Sequence, residues 1–292
     1  MNSGILFALG AYLSWGLFPL YFHQLATVPS TQIVAHRTLW SLVVVMLVLV
    51  ATRRLGWLRE VTAATWRRFA VSALLIAVNW LVYVWAVGNG HVIDASLGYF
   101  INPLVNVALG FALLHERPRP GQWLAVGLAA FGVLWLTVAA GRLPWVALVL
   151  ALSFGFYGLM RKTAALGALE GLTLETLILA PIAGIALAFW TLNGSSAART
   201  PVDWAWLAGT GPVTAGSLLL FAAAARRIPL ATLGLIQYLS PSLQFLLGIY
   251  LFREPMDSQR LVAFGFIWSA LAVYSLEGLW QSRRPRPAAA TC

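Results

Sequence analysis

Apolar runs of roughly twenty residues alternate with short polar punctuation along almost the whole chain. Ten runs are counted, with limits near 3–24, 31–52, 68–89, 93–114, 121–140, 144–162, 172–192, 204–225, 229–252 and 258–280. Each is long enough to cross a hydrocarbon core of about 30 Å as a helix. Several connections carry turn residues: Val28-Pro29-Ser30, Glu116-Arg117-Pro118, Gly141-Arg142-Leu143-Pro144 and Asn193-Gly194-Ser195-Ser196. No soluble domain fits between any two runs. The pattern predicts an all-α integral membrane protein of ten transmembrane helices. The last stretch, 283–292, is too rich in Pro and Ala to pack and is expected to be disordered.

The polar positions repeat. The stretch Gly98 to Glu116, GYFINPLVNVALGFALLHE, is written again as Gln237 to Glu254, QYLSPSLQFLLGIYLFRE. An offset of 138 positions brings Pro103 onto Pro241, Gly110 onto Gly248, Glu116 onto Glu254 and Gly127 onto Gly265. A weaker match, Leu13-Ser14-Trp15-Gly16 with Leu152-Ser153-Phe154-Gly155, gives nearly the same offset, 139. Spacing of this kind marks an internal duplication. Five spans separate the copies. An odd-numbered repeat enters the membrane from the opposite side, so the expected halves, 1–142 and 143–282, are inverted five-helix repeats. Inverted halves let a central site open to either side, the geometry of alternating access. Duplication kept only for packing is the other reading, because channels and some membrane enzymes also duplicate.

Composition supports the class and orients the chain. Hydrophobic residues make up 60% and charged residues only 10%, far below the ~25% usual in soluble domains. The formal charge is +10, but the arginines sit between apolar runs. That placement suits lipid headgroups and excludes the basic face that nucleic acid would need. Fourteen of the nineteen basic residues, Arg53 and Arg161 among them, fall on the side of the termini if ten spans are counted. The positive-inside rule then puts both termini in the cytoplasm. The single cysteine, Cys292, permits no disulfide within the chain. The first run has no basic residue before it and no cleavage site, and is expected to be a retained span.

Polar residues at mid-span are the candidates for chemistry. Tyr99, Asn102 and Asn106 share one face of the fourth span, and Gln237, Ser240 and Gln244 one face of the ninth. Each of these spans also holds a proline, Pro103 or Pro241. A proline removes one backbone hydrogen bond and frees a carbonyl, tolerated in a membrane only where protein or a wet cavity satisfies it. Asn79 and Tyr83 are spaced i, i+4 in span three, as are Ser153 and Tyr157 in span six; Trp15 precedes Pro19 by one turn in span one. Two readings stand. One is a polar central cavity whose aromatic walls suit an organic solute. The other is a set of interhelical hydrogen bonds holding the bundle, about 1 kcal/mol each. Trp57, Trp66, Trp145, Trp190 and Trp280 lie near span ends and read as interface anchors. His36 and Arg37 lie about two turns inside span two, at an expected cavity mouth; a snorkelling or ion-paired arginine is the alternative.

Some chemistries are not suggested. No carboxylate is expected at mid-membrane, since Glu175 falls in the first turn of a span starting near 172 and Glu277 in the last turn of span ten. No GxxxxGK[ST] loop occurs, so ATP hydrolysis by this chain is excluded. His23, His36, His91 and His115 show no metal-ligand spacing, and no cofactor is expected. An enzyme acting on lipid would need clustered acids or histidines at one interface.

The stretch Ala95-Ser-Leu-Gly-Tyr-Phe-Ile-Asn-Pro-Leu-Val-Asn106, with Glu116, Gln122-Trp123 and Ala125, resembles the RarD-type branch of the drug/metabolite transporter superfamily, the EamA-type permeases. Trp15-Gly16, Pro19-Leu20, His36-Arg37, Trp40-Ser41, Asn79-Trp80, Phe156-Tyr157-Gly158 and Thr232 to Tyr238 extend the likeness over all ten spans. The resemblance implies a bacterial inner-membrane permease of ten helices in two inverted halves. The superfamily includes exporters of amino acids, nucleosides and drugs. RarD-type members carry a chloramphenicol-sensitivity name, and a related branch exports aromatic and other amino acids. The expectation is an exporter of amino acids or similar small metabolites, with a drug permease as the alternative. Its partners are the solute and membrane lipid, with the oligomeric state open. Trp15, Asn79, Tyr83, Tyr99, Asn102, Tyr157, Gln237 and Tyr238 would bind. Pro19, Pro103 and Pro241 would let helices bend, and Gly110 and Gly248 would let them pack closely.

Overall fold

The computed structural model describes residues 3–282 apart from 54, 116, 118, 142, 229 and 254–256. The matched pair Glu116 and Glu254 and the tail 283–292 therefore lie outside the described residues. The described chain is helical, without strands. Its α-helices are α1 (Ser3–Gly16), α2 (Phe18–His23), α3 (Ser30–Ala51), α4 (Ala63–Gly88), α5 (Val92–Leu114), α6 (Pro120–Ala140), α7 (Trp145–Thr163), α8 (Ala168–Leu192), α9 (Pro201–Ala225), α10 (Leu230–Gln237), α11 (Leu239–Leu246) and α12 (Ser258–Ser282). Among the described residues, eight helical segments are long and apolar enough to cross a membrane, with α1 and α2 taken as one; Leu239–Leu251 and Leu261–Glu277 are shorter apolar helices. Large apolar side chains face outward, among them Leu192 at 85% exposure and Val138 at 81%, as lipid-facing positions require.

Two of the predicted continuous spans are interrupted. Span one breaks at Leu17, and span nine breaks at Tyr238 and ends in a π-helical turn, Leu247–Leu251, that contains the buried Gly248. Pro19 and Pro241 each lie in the first turn after a break, where a missing N–H does least harm. Pro19 has no N–H to offer the carbonyl of Trp15, four residues back; Gln244 Nε2 donates to that oxygen instead, at 2.9 Å. Pro103 sits inside α5, which stays continuous. The buried Gly110 gives its carbonyl to the N–H of His115, the residue that ends α5.

Small residues set the tightest packing. A Cβ on Gly98 would lie 2.7 Å from the Ala147 carbonyl oxygen, so α5 and α7 touch backbone to backbone there. The α6–α12 contact uses Ala125, Ala129, Ala263 and Ala270, all fully buried, with Gly132 against the Ala263 carbonyl.

These contacts follow the sequence repeat. A Cβ on Gly16 would meet the side chain of Leu243, and one on Gly155 that of Val105, each at 2.6 Å. Gly16 and Gly155 are 139 apart, and Val105 and Leu243 are 138 apart. The repeat thus exchanges the α1–α11 contact for the α7–α5 contact. It likewise exchanges α1–α9 for α7–α4 and α3–α9 for α8–α4, and it leaves α6–α12, α3–α8 and α5–α10/α11 in place. His115 and Arg253, again 138 apart, both end their helices with positive φ, 53° and 51°.

Candidate functional site

A cavity of about 30 Å³ lies where the two interrupted segments meet α3, α4 and α5. That is room for one or two water molecules. Its walls come from Tyr12 and Trp15 of α1, Phe18 of α2, Arg37 of α3, Ile76, Asn79, Trp80 and Tyr83 of α4, and Tyr99 of α5. Phe154, Leu218, Gln237, Ser240 and Gln244 complete them. Helix interruptions beside a polar site expose backbone groups where a solute or water can satisfy them.

The polar wall is held from behind. Asn79 Nδ2 donates to the Leu150 carbonyl at 3.1 Å and to Ser153 Oγ at 3.0 Å, and Tyr99 OH donates to Asn79 Oδ1 at 3.2 Å. One amide therefore ties α4 to α5 and α7. Trp15 Nε1 donates to Ser217 Oγ of α9 at 2.9 Å. A second chain of amides runs deeper: Asn102 Nδ2 donates to the Ala151 carbonyl at 2.8 Å. Asn106 Nδ2 donates to Asn102 Oδ1 at 3.1 Å and to Gln237 Oε1 at 3.5 Å.

Trp15, Asn79, Tyr83, Tyr99, Gln237 and Arg37 of the sequence candidates therefore meet at one cavity. Asn102 stands behind the wall, fully buried in its bond to α7. Tyr238 turns away into the apolar core, its ring 6.1 Å from Phe100. Tyr157 lies in a different cluster, with its OH on Glu175. Arg37 is not at a mouth but in the cavity wall at 2% exposure, while His36 packs edge-on to Trp204 at 5.3 Å. Trp85, just over one turn beyond the cavity-wall residue Trp80 on α4, does not line the cavity and stacks on His91 at 5.4 Å. Tyr12, Phe18 and Phe154 complete the wall, and no polar spacing in the sequence marks them.

Arg37 has no acid beside it among the described residues. Its guanidinium stands over the rings of Trp80 (4.3 Å), Phe22 (5.3 Å) and Phe18 (5.7 Å), and Nε and Nη1 are buried without a hydrogen-bond partner. Cation–π contacts of this kind offset part of the cost of burying a charge. Three other wall residues also hold buried polar atoms without partners: Tyr12 OH, Tyr83 OH and Gln244 Oε1.

The expectation that Glu175 falls in the first turn of its span is corrected. Helix α8 begins at Ala168, not near 172, so Glu175 lies two turns in and only 1% exposed. Its Oε1 accepts from Ser72 Oγ at 2.5 Å and from Arg161 Nη1 at 3.5 Å, and its Oε2 accepts from Tyr157 OH at 3.3 Å. Arg161 is itself 2% exposed and donates to the Ala168 carbonyl at 3.0 Å. A Cβ on Gly171 would fall 2.0 Å from Arg161 Nη1, so only glycine admits the guanidinium there. Arg37 and Glu175 are 138 apart, and each is the eighth residue of its helix. Under the repeat, Phe18 and Phe22 around Arg37 answer to Tyr157 and Arg161 around Glu175. A recess of about 540 Å³ between α1, α2 and α9 reaches Phe18, and one of about 530 Å³ between α4 and α7 reaches Phe69 and Ser72. The repeat exchanges these too: Tyr21, Gln24 and Trp206 of the first match Met160, Thr163 and Arg68 of the second.

Comparison with known proteins gives a concordant picture. A profile of the EamA-like transporter family matches residues 2–138. An uncharacterized transporter of Pseudomonas aeruginosa is 50% identical over 98% of this chain and 97% of its own. Protein RarD of Escherichia coli is 44% identical over 97% of each. A solved crystal structure, 20% identical, superposes with a TM-score of 0.69 over 94% of this chain and 98% of that one; at that identity the likeness concerns the fold alone.

Proposed function

Since the chain belongs to the EamA-like transporter family and within it to the RarD-like branch, we propose that it exports amino acids or similar small metabolites across the bacterial inner membrane by alternating access. In this reading ten spans form two inverted halves, 1–142 and 143–282, with both termini cytoplasmic as the basic loops indicate. The observation that supports it most is the small cavity of unpartnered polar atoms enclosed by two interrupted helical segments, flanked by recesses at places the repeat exchanges. A solute enters when the walls part, and α1–α2 and α10–α11, already broken at Leu17 and Tyr238, are the elements with joints. Tyr83, Tyr99, Asn79 and Gln237 would meet the solute, and Trp15 would stack on it. Asn102, Tyr157 and Tyr238 would act from behind the wall.

Purified protein in liposomes, loaded with a broad panel of labelled amino acids, tests this reading. Protein-dependent efflux of at least one is expected, and Tyr99→Phe, which loses the bond to Asn79, is expected to slow it while leaving the protein folded. A panel with no protein-dependent flux would remove the amino-acid form of the reading. Flux of chloramphenicol alone would favour the drug permease implied by the resemblance.

A further inference from the structure

Among the described residues, Arg37 is the only charged side chain that lines the central cavity. It is enclosed, it lacks an acid, and two of its nitrogens are without partners. An arginine inside a membrane protein normally pairs with an acid, a backbone carbonyl or a wet pathway. The second half of the chain shows what pairing looks like here, because Glu175, the repeat equivalent of Arg37, holds Arg161 and takes two hydroxyl bonds. Arg37 has three rings and no anion.

We propose that the anion is supplied by the solute: the cavity selects a small solute with a single carboxylate on an apolar body, and that carboxylate is received by Arg37 and Tyr83. This rests on the transport reading above and narrows it. A guanidinium presents a planar fork of donors that matches a carboxylate. The Tyr83 hydroxyl is a further unpartnered donor in the same wall. One cation balances one negative charge, and no second cation lines the cavity, so a dianion such as a phosphate monoester would bring an uncompensated charge into the site. Aromatic rings make up much of the remaining wall, with Trp15, Trp80, Tyr99 and Phe154 shaping a slot for an apolar body. Gln244 Oε1 is a free acceptor there, suited to a donor elsewhere on the solute, such as an ammonium group. A solute without an anionic group would leave Arg37 as it stands.

The test uses the full-length protein in liposomes and four probes that share one phenyl body: phenylalanine, 3-phenylpropionate, phenylalaninamide and phenethylamine, with chloramphenicol as a neutral fifth. Carboxylates are expected to move at least about tenfold faster than the two probes that lack one, the discrimination a charge-assisted contact gives. Arg37→Gln is expected to bring that ratio to within about twofold, and Arg37→Lys to restore part of it, because lysine keeps the charge but loses the fork. Equal movement of carboxylates and amide by the wild type, or an unchanged ratio in a folded Arg37→Gln, would overturn the proposal and leave transport itself intact; the second result would make the arginine a structural cation–π pin. If Arg37→Gln does not fold, the wild-type ratio alone decides. A panel with no flux removes transport of these solutes, and thermal melting of the detergent-solubilised wild type with the same probes then decides the anion question: stabilisation by carboxylates alone keeps it, and equal or no stabilisation sinks it.

Discussion

Replacing Glu175 by glutamine changes almost no volume and yet is expected to be among the most damaging single changes in the chain. Glu175 accepts three hydrogen bonds and donates none, as an ionised carboxylate must. A glutamine can accept on one atom only, and its NH₂ would face a donor on the other. At 3.5 Å the Arg161 contact is longer than an ideal charge-assisted bond. With an effective dielectric of 20, two unit charges at that distance attract by about 5 kcal/mol. Burying both ions costs several kcal/mol each, so the intact pair is near neutral as a whole. Removing one partner keeps the other's desolvation and loses the attraction, and a loss of about 3–5 kcal/mol is expected for Glu175→Gln or Arg161→Met. The double variant Arg161→Met/Glu175→Gln removes both charges and leaves a mismatch of about 1–3 kcal/mol where the new amide meets the Ser72 and Tyr157 hydroxyls. It is therefore expected to be more stable than either single variant. Equilibrium unfolding of the micelle-bound protein by graded SDS would measure all four members of the cycle. Singles within about 1 kcal/mol of wild type, or a double variant whose loss equals the sum of the singles, would refute the reasoning.

Two further outcomes are expected. Gly98→Ala puts a methyl group 2.7 Å from the Ala147 carbonyl oxygen, and overpacking at a backbone contact should cost about 1–3 kcal/mol in the same unfolding assay; a neutral result would mean that α5 and α7 slide apart freely. In a Cys292→Ala background, single cysteines at Arg53 and Lys162, which is only partly buried beside Arg161, should be labelled by a membrane-impermeant maleimide only from the cytoplasmic face. Labelling of the two from opposite faces would sink the proposed ten-span, inverted arrangement.

The eight helices long and apolar enough to cross a membrane were legible because a bilayer demands long apolar runs, and that demand writes itself plainly into sequence. Mid-span polar residues were legible for the complementary reason: each is costly in lipid, so Asn79, Tyr83, Tyr99 and Gln237 signalled a cavity before any geometry. Proline spacing pointed to the right segments but not to the break points. The chain turns at Leu17 and Tyr238, two or three residues before Pro19 and Pro241, where neither residue is a helix breaker. Helix α8 starts in Ala168-Leu169-Glu170-Gly171, too polar to read as span, and that displaced Glu175 from the interior to an end. Whether an amide lines a cavity or stands behind it depends on rotation by part of a turn. The spacing of Tyr99, Asn102 and Asn106 put all three on one face, yet only Tyr99 reaches the cavity wall.

The two buried charges also make the halves unequal partners. A molecule assembled from two copies of the first half would enclose two arginines and no acid near either, whereas two copies of the second would hold two self-contained ion pairs and present no cation to its centre. Neither homodimer would have the one-sided polarity of the present cavity. In the proposed two-half arrangement each half supplies what the other lacks: the cation at the cavity comes from one, and the closed ion pair Arg161–Glu175 lies in the other.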